Sequence, residues 1–269
     1  LIERDSSYTC TVDPEPTAFR IFNVTENGQL TLDGITIQNG CANESGGGIY
    51  SDGGMLQLQN GAVVTGNTVY GSGIGAIRGG GIFIAGGTLT IADSTISNNS
   101  VIVTGCGGNC GWGGGIHATG SVTQVTITDS VISGNSAIVT IGGNNHGWGG
   151  GIFSDAPTTI TGSTISNNSA HEEGGGAKIF DVVEISGNTF SGNSSGEYGG
   201  ALTINGITGI VNNNVFSNNH SDGSGGALDV DDDLNNLTNN TFTNNTADGN
   251  GGAVYTDYTI GNMSGNTFT

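Results

Sequence analysis

The run "DVDDD" at 229–233 places Asp229, Asp231, Asp232 and Asp233 almost side by side. Alternation along an extended strand sends Asp229, Asp231 and Asp233 to one side. Carboxylates grouped in this way suit either a paired-carboxylate glycosidase or a hard-cation site. Calcium is therefore the candidate ion, with Asp229, Asp231 and Asp233 as its ligands, and no other cofactor is expected. A solvated acidic corner explains the same letters. The four histidines, His117, His146, His171 and His220, are scattered along the chain and do not suggest a zinc site. "GNSSG" at 192–196 fits Gly-x-Ser-x-Gly by letters, but no helix follows to form a nucleophile elbow.

The cysteines are Cys10, Cys41, Cys106 and Cys110. An even count in a lysine-poor chain points to disulfides and an oxidising compartment. "CGGNC" closes a short loop, so Cys106 with Cys110 is the first pairing expected and Cys10 with Cys41 the remainder. The two tryptophans, Trp112 and Trp148, stand in matching "GWGGGI" frames.

Composition narrows the setting for these groups. Four Lys+Arg against 23 Asp+Glu give a net charge of −19. Nucleic acid is a poor partner, because its phosphates need cationic neutralisation. An anionic membrane surface is disfavoured for the same reason, and no run reaches the ~18 apolar residues of a span. Fifty-two glycines with three prolines and no Gly-X-Y period exclude collagen.

The elements that position these groups come from repeats. A glycine motif recurs at 46, 79, 113, 149, 174, 199, 225 and 251, so the spacing drops from 33–36 residues to 25–26. A second motif runs in step, from "STISNNS" at 94 to "NTFT" at 266. Periods of this size mean a solenoid, propeller or array. Each short unit carries three apolar patches at strand spacing, such as Leu202/Ile204, Val211 and Phe216, separated by turn residues. That is one coil of a parallel β-helix. The expected fold is all-β: a right-handed parallel β-helix of about nine three-strand coils, with handedness following the rule for parallel crossovers.

Stacked coils align equivalent residues. The core column is then Ile96, Ile132, Ile165, Phe190, Phe216, Phe242 and Phe268. Three residues after each of the first six lies Asn99, Asn135, Asn168, Asn193, Asn219 or Asn245, an asparagine ladder at a corner that tolerates the left-handed conformation. Asn193 and Asn219 are also glycosylation sequons, expected to be packed and unmodified. Glycines form the opposite corner.

The chain resembles right-handed parallel β-helix repeat proteins of the polymorphic outer-membrane and autotransporter-adhesin kind. "GGAL" at 199 and 225 and "GGAV" at 251 match their glycine motif, and Phe190–Asn193, Phe216–Asn219 and Phe242–Asn245 match Phe-x-x-Asn. The resemblance runs from about residue 20 to the end. It implies an extracellular or cell-surface bacterial protein used in adhesion or as a stalk.

Lyases of the β-helix fold typically need an Arg or Lys base. Arg4, Arg20, Arg78 and Lys178, the only basic residues, fall in different coils and different local frames. Hydrolases of this fold use clustered Asp with His and Arg-x-Lys, and none accompanies Asp229–Asp233.

Residues 1–20 carry no repeat motif and are expected to cap the rod or dock onto a neighbour, with residues 21–269 forming one β-helix domain. Its regular coils run from about 174 to 269, and its long coils insert residues at about 68–78, 100–112 and 136–148. The β-branched starts of these insertions suggest hairpin-like tongues that stack. Trp112 and Trp148 should then lie one above the other, packing their tongues onto the rod or offering a binding platform. The chain stops mid-coil at "NTFT", an edge that would template end-to-end association. The expected function is non-enzymatic: a secreted structural or adhesive rod, extended by end-to-end assembly into a fibre. The expected partners are another copy and a glycan or cell surface. The alternatives are a polysaccharide lyase or hydrolase, or a glycan-binding spike without catalysis.

Overall fold

The computed structural model describes residues 1–3, 10, 19–72, 75–105, 110–140, 146–206 and 209–269. Named strands pair only in parallel, each with its counterparts one coil away, in sheets of ten, fourteen and eight strands. This is a parallel β-helix.

The ten-stranded sheet is built from the second motif. Its register runs Ile37, Val64, Ile96, Ile132, Ile165, Phe190, Phe216, Phe242, Phe268. Ile37 and Val64 extend the column expected from sequence. Every member before Phe268 is at most 1% exposed. The phenylalanines stack with centroids 4.8–4.9 Å apart, the strand spacing itself.

The fourteen-stranded sheet carries the other two apolar patches, as Leu202–Ile204 and Ile210–Asn212 or as one continuous strand in Ile116–Thr128. The eight-stranded sheet is short and polar in the late coils, as in Ser194–Ser195 and His220–Ser221. The three apolar patches of a late coil therefore fill two sheets, and the third sheet lies at a corner outside the main core.

Asn99, Asn135, Asn168, Asn193 and Asn219 each donate Nδ2 to the next ladder oxygen at 2.9–3.0 Å, ending on Asn245. Asn67 adds one rung at the start. The Asn193 side chain makes four bonds: Nδ2 donates to Ile165 O and Asn219 Oδ1, and Oδ1 accepts from Asn168 N and Nδ2. The ladder asparagines do not themselves adopt the left-handed conformation. The residue before each does, as at Asn98, Asn167, Asn218 and Asn244, where φ is 52–55°. That preceding residue turns the corner, which leaves the ladder side chain free to point inward.

A second ladder enters the same strand from its other end. Asn188, Asn214, Asn240 and Asn266 repeat the rung geometry at 3.0–3.1 Å, and Ser94, Ser130 and Ser163 continue the column in the earlier coils: Ser94 N donates to Ser130 Oγ, Ser130 N to Ser163 Oγ, and Ser163 N to Asn188 Oδ1.

In the long coils the inserted outgoing strands, Thr68–Ser72, Ser100–Thr104 and Ser136–Val139, pair in register with one another. The returning limbs also bond between coils, as Trp112 N to Ile77 O and Trp148 N to Gly111 O. The described limbs thus bond to their counterparts in neighbouring coils, which stacks the insertions one on the next. Val69, Ile77, Val101, Val103, Cys110 and Val139 give them a small core of their own.

Cys10 and Cys41 form a disulfide with Cα atoms 5.6 Å apart. Cys110 is buried and disulfide-bonded, and its expected partner, Cys106, lies outside the described residues, as does Arg4. Of residues 1–20, Ile2–Glu3 pairs in parallel with Thr36–Gln38, on the first edge of the ten-stranded sheet.

Candidate functional site: a cation and aromatic corner

The glycine corner brings two columns together. The first glycine of each motif has positive φ, as at Gly113 (67°) and Gly149 (63°). A side chain there would meet the Cβ of the residue four positions on: 2.8 Å to His117 from Gly113 and 2.9 Å to Phe153 from Gly149. Without one, the residue before the motif and the residue four after the first glycine lie side by side on the outside of the rod. The first column contains Arg78, Trp112, Trp148, Glu173, Tyr198 and Ser224, bridged in parallel from Arg78 to Trp148 and from Glu173 to Ser224. The second, by strand register, is Tyr50, Phe83, His117, Phe153, Lys178, Thr203, Asp229 and Tyr255.

Both columns stack. Trp112 and Trp148 are parallel to within 7°, with centroids 5.5 Å apart. Beside them Tyr50, Phe83, His117 and Phe153 follow at 5.1, 5.5 and 4.7 Å. Cations lie over the rings: Arg20 4.6 Å from the Tyr50 centroid, Arg78 4.7 Å from Trp112, and Lys178 Nζ 3.8 Å from Trp148. Such contacts are worth about 0.5–2 kcal/mol each, more when desolvated. Three of the four basic residues of the chain thus share one corner, although the sequence suggested different local frames.

The faces of both tryptophans are covered, Trp112 by Arg78 and Trp148, and Trp148 by Trp112 and Lys178. A sugar stacks on an open aromatic face, so these indoles offer only their edges. Trp148 Nε1 donates to Glu172 Oε2 at 3.0 Å, and His146 Nδ1 lies 2.6 Å from the same oxygen.

Burial shapes the charges. The Arg20 and Arg78 guanidiniums are held below their ordinary pKa, first by desolvation, with Glu44 and Asp155 respectively opposing the shift. His117 is fully buried, and burial followed by the Arg78 charge pushes its pKa well down. Its two ring nitrogens, Arg78 Nε and Trp112 Nε1 are buried without hydrogen-bond partners among the described residues. Lys178 is 2% exposed and paired with Glu173 at 2.5 Å. A lysine locked between a carboxylate and an indole is not available as a lyase base.

Towards the late coils the corner turns acidic. A cavity of about 220 Å³ is lined by Glu173, Tyr198, Asp229, Asp231, Tyr255 and Asp257. Asp229 is 4% exposed, and its carboxyl is pushed up to about 7, mainly by burial and then by Asp231 and Glu173. Tyr255 donates its hydroxyl to Asp257 at 2.8 Å, and Asn205 donates to Asp231. Asp233 does not line this cavity; it is exposed, and its Oδ1 accepts from Thr259 N at 3.0 Å. The calcium trio expected from alternation is therefore a pair in one cavity and a third residue used for a backbone bond.

The histidines are less scattered than their positions suggest. His146 and His171 line a groove of about 720 Å³ with Glu172, Glu173, Glu197 and Asp222, where burial and then Glu172 raise the Glu197 carboxyl pKa. His171 and His220 line a second groove of about 460 Å³. His220, Asp222 and Asp248 bring ligand atoms within 4.8 Å of one another, but they sit at the surface, and the two His220 nitrogens already face Thr246 and Asp222.

Sequence reasoning missed the corner pairing. The available signal was the frame itself: a basic or aromatic residue directly before a Gly-Gly pair, or four residues after its first glycine, in coil after coil.

The Chlamydia polymorphic membrane protein (Chlamydia_PMP) repeat matches residues 215–231 and 241–257. Each segment contains one Phe–Asn pair and one glycine corner, Phe216 with Asn219 and Gly225, and Phe242 with Asn245 and Gly251. Neither a curated protein nor a solved structure matches the chain.

Proposed function

We propose that this chain is the rod of an extracellular or surface-displayed adhesive β-helix of bacterial origin. The observation that carries the reading is the repeat match, which falls wholly on coil-forming residues at 215–231 and 241–257. The locked state of Lys178 supports a non-enzymatic role. End-to-end association of rods and recognition of a cell-surface glycan belong to the same proposal. Beads coated with the protein should adhere to host-type epithelial cells above a bare-bead control, and electron micrographs of concentrated protein should show unbranched threads. Absence of adhesion overturns the adhesive role, and separate short rods overturn the assembly.

One observation favours a second reading, a glycoside hydrolase. Asp229 holds its proton to about 7 beside Asp231 in a shared cavity, the split state of a carboxylate pair in which one member serves as acid. Release of reducing sugar from acidic or neutral polysaccharides, abolished in Asp229→Asn, would move the assignment there.

A further inference from the structure

Along the glycine corner the protein repeats one chemical arrangement: a cation over an aromatic ring with a carboxylate nearby. Arg20 has Tyr50 and Glu44, Arg78 has Trp112 and Asp155, and Lys178 has Trp148 and Glu173. In the late coils the aromatic and anionic parts continue. Tyr198 and Tyr255 lie with ring centroids 6.4 Å apart, and Glu173, Asp229, Asp231 and Asp257 surround the same cavity. No basic residue follows Lys178 in the sequence, and Lys178 is held by Glu173 and the Trp148 ring.

Asp229 gives the second, independent sign. It is 96% buried and lines the cavity, no hydrogen bond reaches its carboxyl among the described residues, and Lys178, the cation whose charge acts on it, is already paired with Glu173. Buried polar groups are nearly always paired, and an unpaired one calls for a donor. A bare metal ion fits poorly. Among the described residues, only His220, Asp222 and Asp248 form a group of three whose ligand atoms lie within 4.8 Å of one another. The cavity carboxylates are too dispersed to chelate one small ion. At about 220 Å³ the space equals some seven waters at roughly 30 Å³ each, room for an ammonium head with its carbon skeleton. Tyrosine faces attract such cations, and three N–H donors suit several separated carboxylates.

We infer that the cavity between Tyr198, Asp229, Asp231 and Tyr255 is a binding site for an organic primary ammonium, carried by an amino sugar or by a lysine side chain. This site stands independently of the adhesive role. The bound ammonium satisfies Asp229 and is flanked by the tyrosine rings.

The test is a titration of the intact chain with glucosamine and with Nα-acetyl-lysine amide, each followed by ligand NMR and calorimetry. N-acetylglucosamine and Nε-acetyl-lysine derivatives serve as uncharged controls. At least one ammonium probe should bind at least about tenfold more tightly than its acetylated control, the scale of a lost charge-assisted hydrogen bond. The tighter of the two arms identifies the source. Asp229→Asn should lose this binding while keeping its circular dichroism and melting no lower than the parent at pH 8, and Tyr198→Leu should weaken it with the carboxylates intact. With the lysine probe, whose ammonium stays protonated throughout, binding should also tighten from pH 5 to pH 8 as Asp229 ionises among Glu173, Asp231, Asp257, Lys178, Tyr198 and Tyr255. Equal binding of ammonium and acetylated probes, no binding of either, or full binding by Asp229→Asn overturns the site.

Discussion

Replacing Asp229 with Asn tests the electrostatics of the corner directly. In the unfolded chain this carboxyl ionises near 3.8; in the folded protein it holds its proton to about 7. The raised value means that folding takes up a proton between these limits. The stability linked to this group is therefore complete below about pH 4 and falls away as the pH rises through 7. Three pKa units at 1.36 kcal/mol each set a ceiling of roughly 4 kcal/mol, and structural relaxation brings the expected loss to about 2–4 kcal/mol. Asparagine has nearly the same shape and does not titrate. The difference in unfolding free energy, Asn variant minus parent, should thus grow by that amount between pH 4 and pH 8. Urea denaturation of both proteins at several pH values measures it, and taking the difference cancels the carboxylates they share. Equal slopes with urea are needed for the comparison, because repeat arrays can unfold in stages. A difference that stays flat with pH, or an Asn variant less stable at pH 8, would refute the reasoning.

Five other substitutions probe the ladder, the ring stack and the turns. Asn193→Ala removes four hydrogen bonds and strands buried partners in two neighbouring coils, so it should cost about 2–4 kcal/mol in urea denaturation, whereas Asn98→Gly, at an exposed left-handed position, should cost well under 1 kcal/mol. His117→Phe places a third phenyl ring between Phe83 and Phe153 and removes two unpartnered nitrogens. The depressed pKa of His117 makes the parent lose stability as pH falls below about 6.5, so the Phe variant should have the higher melting temperature at pH 5 and a smaller advantage at pH 7.5. Gly200→Ala would put a methyl 2.3 Å from Gly226 O and 2.4 Å from His220 O, backbone atoms that cannot retreat. Its melting temperature should fall by an amount equivalent to about 2 kcal/mol or more, against about 1 kcal/mol for Gly61→Ala, which meets only open space.

The Phe column and the asparagine ladder were readable because each coil contributes one identical residue at one fixed offset. Letters alone carry that information when neighbours along the rod are neighbours in the repeat. The second ladder escaped because its column changes type, from Ser94, Ser130 and Ser163 to Asn188 and Asn214. Chemistry continues there while the letter does not. The left-handed residue was displaced by one position, Asn98 rather than Asn99, because both are asparagine and only geometry separates a turning backbone from an inward side chain. Arg20, Arg78 and Lys178 looked unrelated because they enter the corner from different offsets. Only folding about the glycines places them on one line. Asp229 shows the same limit: alternation says nothing of its cover, because Glu173, Tyr198 and Tyr255, which line the cavity with it, come from other coils.

The ladders also determine how the rod answers a pull. Its strands run across the long axis, and its rungs and sheet bonds run along it. Tension applied at the two ends therefore loads these bonds one layer at a time, in the geometry of a zipper rather than of a sheared sheet. Each coil that peels releases its whole length, about 25–26 residues in the later part and 33–36 in the earlier part, or roughly 85–120 Å at about 3.3–3.4 Å per extended residue. Such a rod yields at modest force in many steps of two sizes, the shorter from its later coils. It acts as a shock absorber whose stroke is written in the repeat length.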